Sequence, residues 1–196
     1  MGTRSDITLG FDTSGGWCCA ALTRADTVMA QRFVAMPRGQ GEALVPLLNT
    51  VLQDAAVTWT DLAALGVGIG PGNFTGIRIS VSAARGLALG LGIPAIGVTR
   101  FEALALDGPD LPVVVPALRD QVWVQTPGAA PELHDTPPRP AIGEGHGLTP
   151  PAHALAVAIA RLAASRIGTV QPRPAPLYLR DADAAPPSDA PPALIE

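Results

Sequence analysis

The sequence contains no lysine: all 13 of its basic residues are arginine. That gap removes several chemistries at once, because a phosphate-loop lysine, a Schiff-base lysine and a lysine general base are all excluded. It accompanies 21 glycines, 21 prolines and abundant alanine, and composition bias accounts for it. Charge is sparse at 15% of residues, with a net of −4. A stand-alone nucleic-acid binder needs a basic face to displace counterions from phosphates, so that class is disfavoured. Histidine is absent before His134, and His134, His146 and His153 stand at no metal-pair spacing; Pro150 and Pro151 part the last two. The serines and cysteines of the first half therefore have no base beside them, as a peptidase nucleophile requires. The two cysteines, Cys18 and Cys19, are adjacent. On a strand they point to opposite faces, and a vicinal disulfide is strained, so they read as reduced thiols of a cytosolic protein. No basic-then-apolar leader and no membrane-length apolar run is visible, and a soluble cytoplasmic protein is the expectation.

What is present is a strong α/β pattern. Ile7 to Phe11 predicts a strand ending at the turn Asp12-Thr13-Ser14-Gly15-Gly16, and Trp17 to Thr23 and Val28 to Val34 predict two more around a turn at Ala25-Asp26. Gln40 to Val57 predicts a helix with a wide apolar stripe, Pro46 being placed near its first turn. Leu65 to Ile69 then runs into the turn Gly70-Pro71-Gly72. Thr75 stands where an N-cap belongs, Ile77 to Leu91 has helical spacing, and Ala95 to Val98 is a short strand. This is a βαβ unit with its loop at the carboxyl end of a strand, where α/β folds place their sites. Later, Val113 to Leu118 and Gln121 to Gln125 predict strands, 127 to 140 a loop, and Pro151 to Ile167 an alanine-rich helix. Residues 183–196, mostly Ala, Pro and Asp, predict a disordered tail.

The stretch GPGNFTGIRI, continuing through ARGLALGLGIPAIGVTRFEALA, closely resembles the TsaB (YeaZ) family, relatives of the M22 glycoprotease group. LGFDTSG near the start and PLYLR at Pro176 to Arg180 extend the resemblance, which covers residues 6 to 106 well. It implies the actin-like ATPase (ribonuclease H-like) fold, with a first lobe at 1–106, a shortened second lobe at 107–182 and the tail at 183–196. It implies a non-catalytic subunit of the complex that makes threonylcarbamoyladenosine at position 37 of tRNA. The expected partners are a TsaD-like catalytic subunit and a TsaE-like ATPase, with tRNA held only indirectly. No cofactor is expected in the isolated chain, and ATP or ADP only in the complex. Two departures stand out. The family's Arg-x-His-Ser-Glu is here Arg38-Gly39-Gln40-Gly41-Glu42, without the histidine, and its second-lobe Asp-Ala-Arg motif is reduced to Ala117-Leu118-Arg119-Asp120.

Two sets of residues carry the functional reading. Asp12, Thr13, Ser14 and Gly15 form either a vestigial phosphate loop or an ordinary hairpin turn in which Asp bonds its own backbone. The GPGNFTG loop likewise either binds an anion at a helix N-terminus or makes a tight turn. Leu44, Leu47, Leu48, Val51, Arg78, Ser82, Ala83 and Arg85 form the expected partner interface: a wide apolar stripe on one helix and small residues on the next suit a four-helix contact with a homodimer mate or with the catalytic subunit. Burial of both helices on the sheet is the competing account. No catalytic or metal residue is assigned. The rival function is an actin-like ATPase or kinase, or an M22-type peptidase, acting alone.

Overall fold

The computed structural model describes residues 6–179. The tail 183–196 and Arg180 lie outside the described residues. The chain opens with a meander: β1 (Ile7–Asp12), β2 (Trp17–Arg24) and β3 (Thr27–Ala35). Then come α1 (Gln40–Asp54), β4 (Leu62–Gly68), α2 (Phe74–Leu91), β5 (Ala95–Val98) and α3 (Arg100–Ala105). A second group, β6 (Val113–Pro116), β7 (Val122–Gln125) and β8 (Glu132–His134), precedes α4 (Leu155–Ser165). The first sheet has the order β3-β2-β1-β4-β5. The meander strands pair antiparallel, while β4 joins β1 and β5 joins β4 in parallel. The second sheet, β6-β7-β8, is antiparallel. This is the α/β actin-like ATPase fold that the resemblance implies.

Alternation along the strands explains the layering. Ile7, Leu9 and Phe11 of β1, Cys18, Ala20 and Leu22 of β2, and Leu65 and Val67 of β4 share one core with Leu44, Leu48, Val51 and Leu52 of α1 and with Ile77, Val81 and Ala84 of α2. The alternate positions face α4: Cys19 and Ala21 pack on Ala156 and Val157. Central strands buried on both faces read as continuous apolar runs, which is why the meander was visible in the sequence. The α4 side is built of minimal side chains. A Cβ on Gly10 would strike the Ala156 carbonyl, and one on Gly66 would lie 2.8 Å from both the Ala163 Cβ and the Ile159 carbonyl, so the helix backbone rests nearly on the sheet.

Several boundaries differ from the expectations. Asn73, not Thr75, caps α2: its Oδ1 accepts from the Gly76 N–H at 2.8 Å, so the helix begins three residues earlier, at Phe74. Helix α1 stops at Asp54, because Ala56 turns left-handed and the Val57 N–H returns to the Leu52 carbonyl. Pro46 lies inside α1, beyond its first turn. The first strand of the second sheet ends at Pro116, since Arg119 and Asp120 both take positive φ in the turn to β7. The proline-rich stretch 127–140 contains β8, and α4 starts only at Leu155, after the proline pair. The short α3 carries no expectation of its own. Thr99 and Glu102 cap it reciprocally, a T-x-x-E box readable in the sequence.

Candidate functional site

The hairpin between β1 and β2 uses its own polar groups. Asp12 is buried, and its Oδ1 accepts from the Ser14 N–H, the Ser14 hydroxyl and the Trp17 indole N–H, each at 2.9 Å. The other side of the carboxylate lies against Gly68, where any Cβ would collide with it. The Thr13 hydroxyl donates to the Gly76 carbonyl at 2.6 Å, and the Ser14 carbonyl accepts from the Asn73 N–H at 2.6 Å. Gly15 lies under the Trp17 ring. A Cβ at Gly72 would meet Ser14, and one at Gly76 would meet the Thr13 carbonyl. The two glycine-rich segments, Asp12–Gly16 and Gly70–Gly76, are therefore pressed together by backbone contact. Both hydroxyls and the Asp12 Oδ1 are engaged within the chain, which is the turn arrangement rather than an open cradle.

The thiols behind this hairpin are held neutral. Burial, and then the Asp12 charge, push Cys18 up to about 11. Cys19 is also raised, first by burial and then by Asp12, although its Sγ lies 3.6 Å from the Asp12 carbonyl. Both cysteines are free. Among the described residues no group of three or more His, Cys, Asp and Glu could hold a metal ion.

Beside the hairpin opens a cleft of about 900 Å³, walled by the first sheet's loops, the second sheet and the segment 177–179. Ser14, Gly15, Gly72 and Asn73 form one edge of it. Trp17, Phe74, Trp123 and Tyr178 line it, in a chain with four phenylalanines, three tryptophans and one tyrosine. Arg100 and Glu144 face each other across it at 3.1 Å, and the Arg100 guanidinium lies 4.8 Å from the centre of the Trp17 ring. Ser14, Gly15, Gly72, Asn73 and Phe74 fall in the turn and loop motifs singled out in the sequence, whereas Trp17, Arg100, Trp123 and Tyr178 do not. Arg100 could have been found from the T-R-F-E box, which puts it at the first position of a helix following a β-strand.

The expected interface residues divide. Leu44, Leu48 and Val51 are buried in the chain's own core, because α1 turns its regular stripe onto the sheet; they are not surface residues, and that part of the expectation is corrected. Leu47 is half-buried. On α2, Ser82 is exposed and Ala83 half-buried, while Gly86 and Gly90 have open space beside them and Leu89 is 80% exposed. Arg78 and Arg85 diverge. Arg78 lies on the Phe74 ring at 3.7 Å and donates to the Tyr178 hydroxyl at 2.8 Å, whereas Arg85 lines a separate pocket with Arg166 and Arg173. No helix among the described residues is long and apolar enough to cross a membrane.

A family model described as TsaD, tRNA N6-adenosine threonylcarbamoyltransferase, matches residues 37–174. The tRNA threonylcarbamoyladenosine biosynthesis protein TsaB of Escherichia coli is 39% identical over 97 residues, which is 50% of this chain and 42% of that protein. The chain thus spans less than half of the length of the curated TsaB proteins it matches. An uncharacterised protein of Mycobacterium tuberculosis is 33% identical over 200 residues, covering 91% of this chain and 93% of the relative. Among solved structures, YeaZ from Pseudomonas aeruginosa superposes with a TM-score of 0.66 at 24% identity, over 88% of this chain and 99% of that one, a likeness of fold.

Proposed function

Because the chain belongs to the TsaB (YeaZ) family, within the group described by the TsaD threonylcarbamoyltransferase model, we propose that it is a non-catalytic subunit of a tRNA threonylcarbamoyladenosine synthesis complex. In this reading it binds and supports a TsaD-like catalytic subunit in the cytoplasm, with a TsaE-like ATPase as a further partner. Any ATP or ADP is bound only within the complex, and tRNA is met through the partner. The division into a lobe at 1–106 and a reduced lobe beyond it belongs to the same reading.

One observation carries it. The residues that would work on phosphate, Asp12, Thr13 and Ser14, spend their polar groups on one another, on Trp17 and on the α2 loop, while the outer face of α2 is left uncovered. An uncovered helix face of Ser82, Ala83, Gly86, Leu89 and Gly90 lets a partner helix approach closely. The interface is accordingly narrowed to Leu47, Arg78, Ser82, Ala83 and Arg85. The same face serves a homodimer when no partner is present, and the two contacts compete.

The test is co-purification with a TsaD-like subunit, followed by light scattering of the mixture. Ser82→Trp and Ala83→Arg are expected to abolish the complex and any homodimer, with the melting temperature unchanged. Association that survives both substitutions places the contact elsewhere. ATP or peptide turnover by the isolated chain that is lost in Asp12→Ala would install the rival enzymatic reading.

A further inference from the structure

Arg100 is a buried charge with few partners. Its side chain is only 5% exposed, yet its guanidinium makes a single hydrogen bond, to Glu144, and its Nε is buried with no partner. An arginine offers five donors in a fixed fork, and a buried one normally fills most of them. Glu144 is a poor match for that demand. It is half-exposed, touches one nitrogen only, and sits on a turn between Gly143 and Gly145, the latter at φ +131°. The single contact at 3.1 Å leaves the two-pronged geometry of an arginine–carboxylate pair unused.

The position of Arg100 is nonetheless closely fixed. Its N–H donates to the Gly70 carbonyl at 2.7 Å, and the Thr99–Glu102 box holds the first turn of α3. The guanidinium lies over Trp17, whose indole N–H is held by Asp12. A charge so positioned and so little paired marks a place for an anionic group. Its setting describes the rest of the guest: four aromatic rings, Trp17, Phe74, Trp123 and Tyr178, with Leu133 and Leu177, enclose the space above it. The first turn of the 18-residue α2 adds the positive end of its dipole at Asn73 and Phe74. The nearby negative groups are Glu144 and Asp12. Asp12 is already occupied by three donors, and Glu144 is the group to be displaced.

We propose that this cleft is a binding site for a small aromatic or flat apolar carboxylate, whose anionic end takes Arg100 in place of Glu144 while its ring packs against Trp123 and the apolar groups that line the cleft. The site is distinct from a nucleotide cradle, since the hairpin hydroxyls are engaged inside the chain. It stands independently of the scaffold reading, and neither the protein's association state nor its partners enter the test.

Titration calorimetry and saturation-transfer NMR on the full chain, with indole-3-acetate as probe and uncharged indole-3-acetamide as its isostere, decide the matter. Indole-3-acetate should bind at least about tenfold more tightly than the amide. Arg100→Gln should weaken the acid about tenfold and leave the amide unchanged, and Arg100→Lys should recover only part of the loss. Glu144→Gln should tighten the acid by about threefold, since it removes both the competitor and a like charge. If Arg100→Gln does not fold, the direction of the Glu144→Gln effect decides. Equal affinity for acid and amide, unaltered binding in Arg100→Gln, weakening in Glu144→Gln, or no binding of the acid up to about 10 mM would overturn the proposal. Displacement of the acid by Mg-ATP at lower concentration would overturn it in favour of a nucleotide site.

Discussion

The hairpin junction and the aromatic cleft lie side by side and are built on opposite principles. At the junction, Asp12–Gly16 and Gly70–Gly76 meet backbone to backbone, every named polar side chain has a partner, and there is no room for a methyl group at Gly68, Gly72 or Gly76. In the cleft, large side chains surround open space, and a buried guanidinium uses one of its five donors. The residue types that suggest chemistry, an aspartate with hydroxyls and glycines, are in the closed region. The incompletely satisfied group is in the open one. A motif therefore marks where a site could be, while hydrogen-bond accounting shows whether its groups are free to act.

The sharpest way to break the contrast is at the junction itself. Gly76→Val places side-chain carbons on the Thr13 carbonyl and should cost more than about 3 kcal/mol, lowering the melting temperature by about 10 °C or abolishing folding. A stable Gly76→Val would mean that the two loops can separate, as an operating phosphate cradle requires. Asp12→Ala comes next. It strands the donors on Ser14 and Trp17 and should cost about 2–3 kcal/mol, while Asp12→Asn, which keeps an acceptor, should cost about half of that. Calorimetric unfolding separates the two. A rise in melting temperature with Mg-ATP that is lost in Asp12→Asn would reverse the reading.

On the cleft side the effects are smaller. Burial pushes the Glu102 carboxyl up, but hydrogen bonds from the Thr99 N–H and hydroxyl and the Arg166 contact outweigh it, and the net shift is downward. A lowered folded-state value means that the stabilisation is present above the ordinary glutamate range and disappears as pH falls through the lowered one. Glu102→Gln should therefore reduce the melting temperature at pH 7, and the gap from the parent protein should close toward pH 3, within the acid limb alone. A gap independent of pH would show that the carboxylate charge has no part in holding α3.

The smallest effect concerns the thiols beneath the hairpin. With Cys18 raised to about 11 and Cys19 also raised, neither should react with a disulfide reagent at pH 8 in the folded protein, and both should react in denaturant. A raised thiol value stabilises below the ordinary thiol range and is lost as pH climbs toward about 11, so reactivity and instability should rise together there. Prompt labelling at pH 8 would show that the junction opens.

The meander and the βαβ unit were legible because central strands buried on both faces leave long apolar runs, and because Gly70-Pro71-Gly72 punctuates them. The small second sheet was only half legible. Its third strand, Glu132–His134, has three residues and no apolar alternation, so pairing with β7 rather than pattern creates it. The α2 start was misplaced by two acceptable caps in one loop, and only packing chooses Asn73. Of the site, the hairpin was visible as a motif, but whether its groups were free was not, since the partners of Thr13 and Ser14 come from some sixty residues later. The cleft escaped because Trp17, Arg100, Trp123, Glu144 and Tyr178 are scattered along the chain and carry no shared spacing.

The bare contact between α4 and the sheet bears on how this protein should be probed by saturation mutagenesis. Gly10 and Gly66 meet the α4 backbone with no side chain between that could rotate aside, so nearly every replacement there will register as deleterious. A sensitivity map would colour both glycines as strongly as Asp12, and they lie on its strand and on the neighbouring one. Read without coordinates, that cluster would pass for an active centre, although it records only how near a helix can be laid to a sheet.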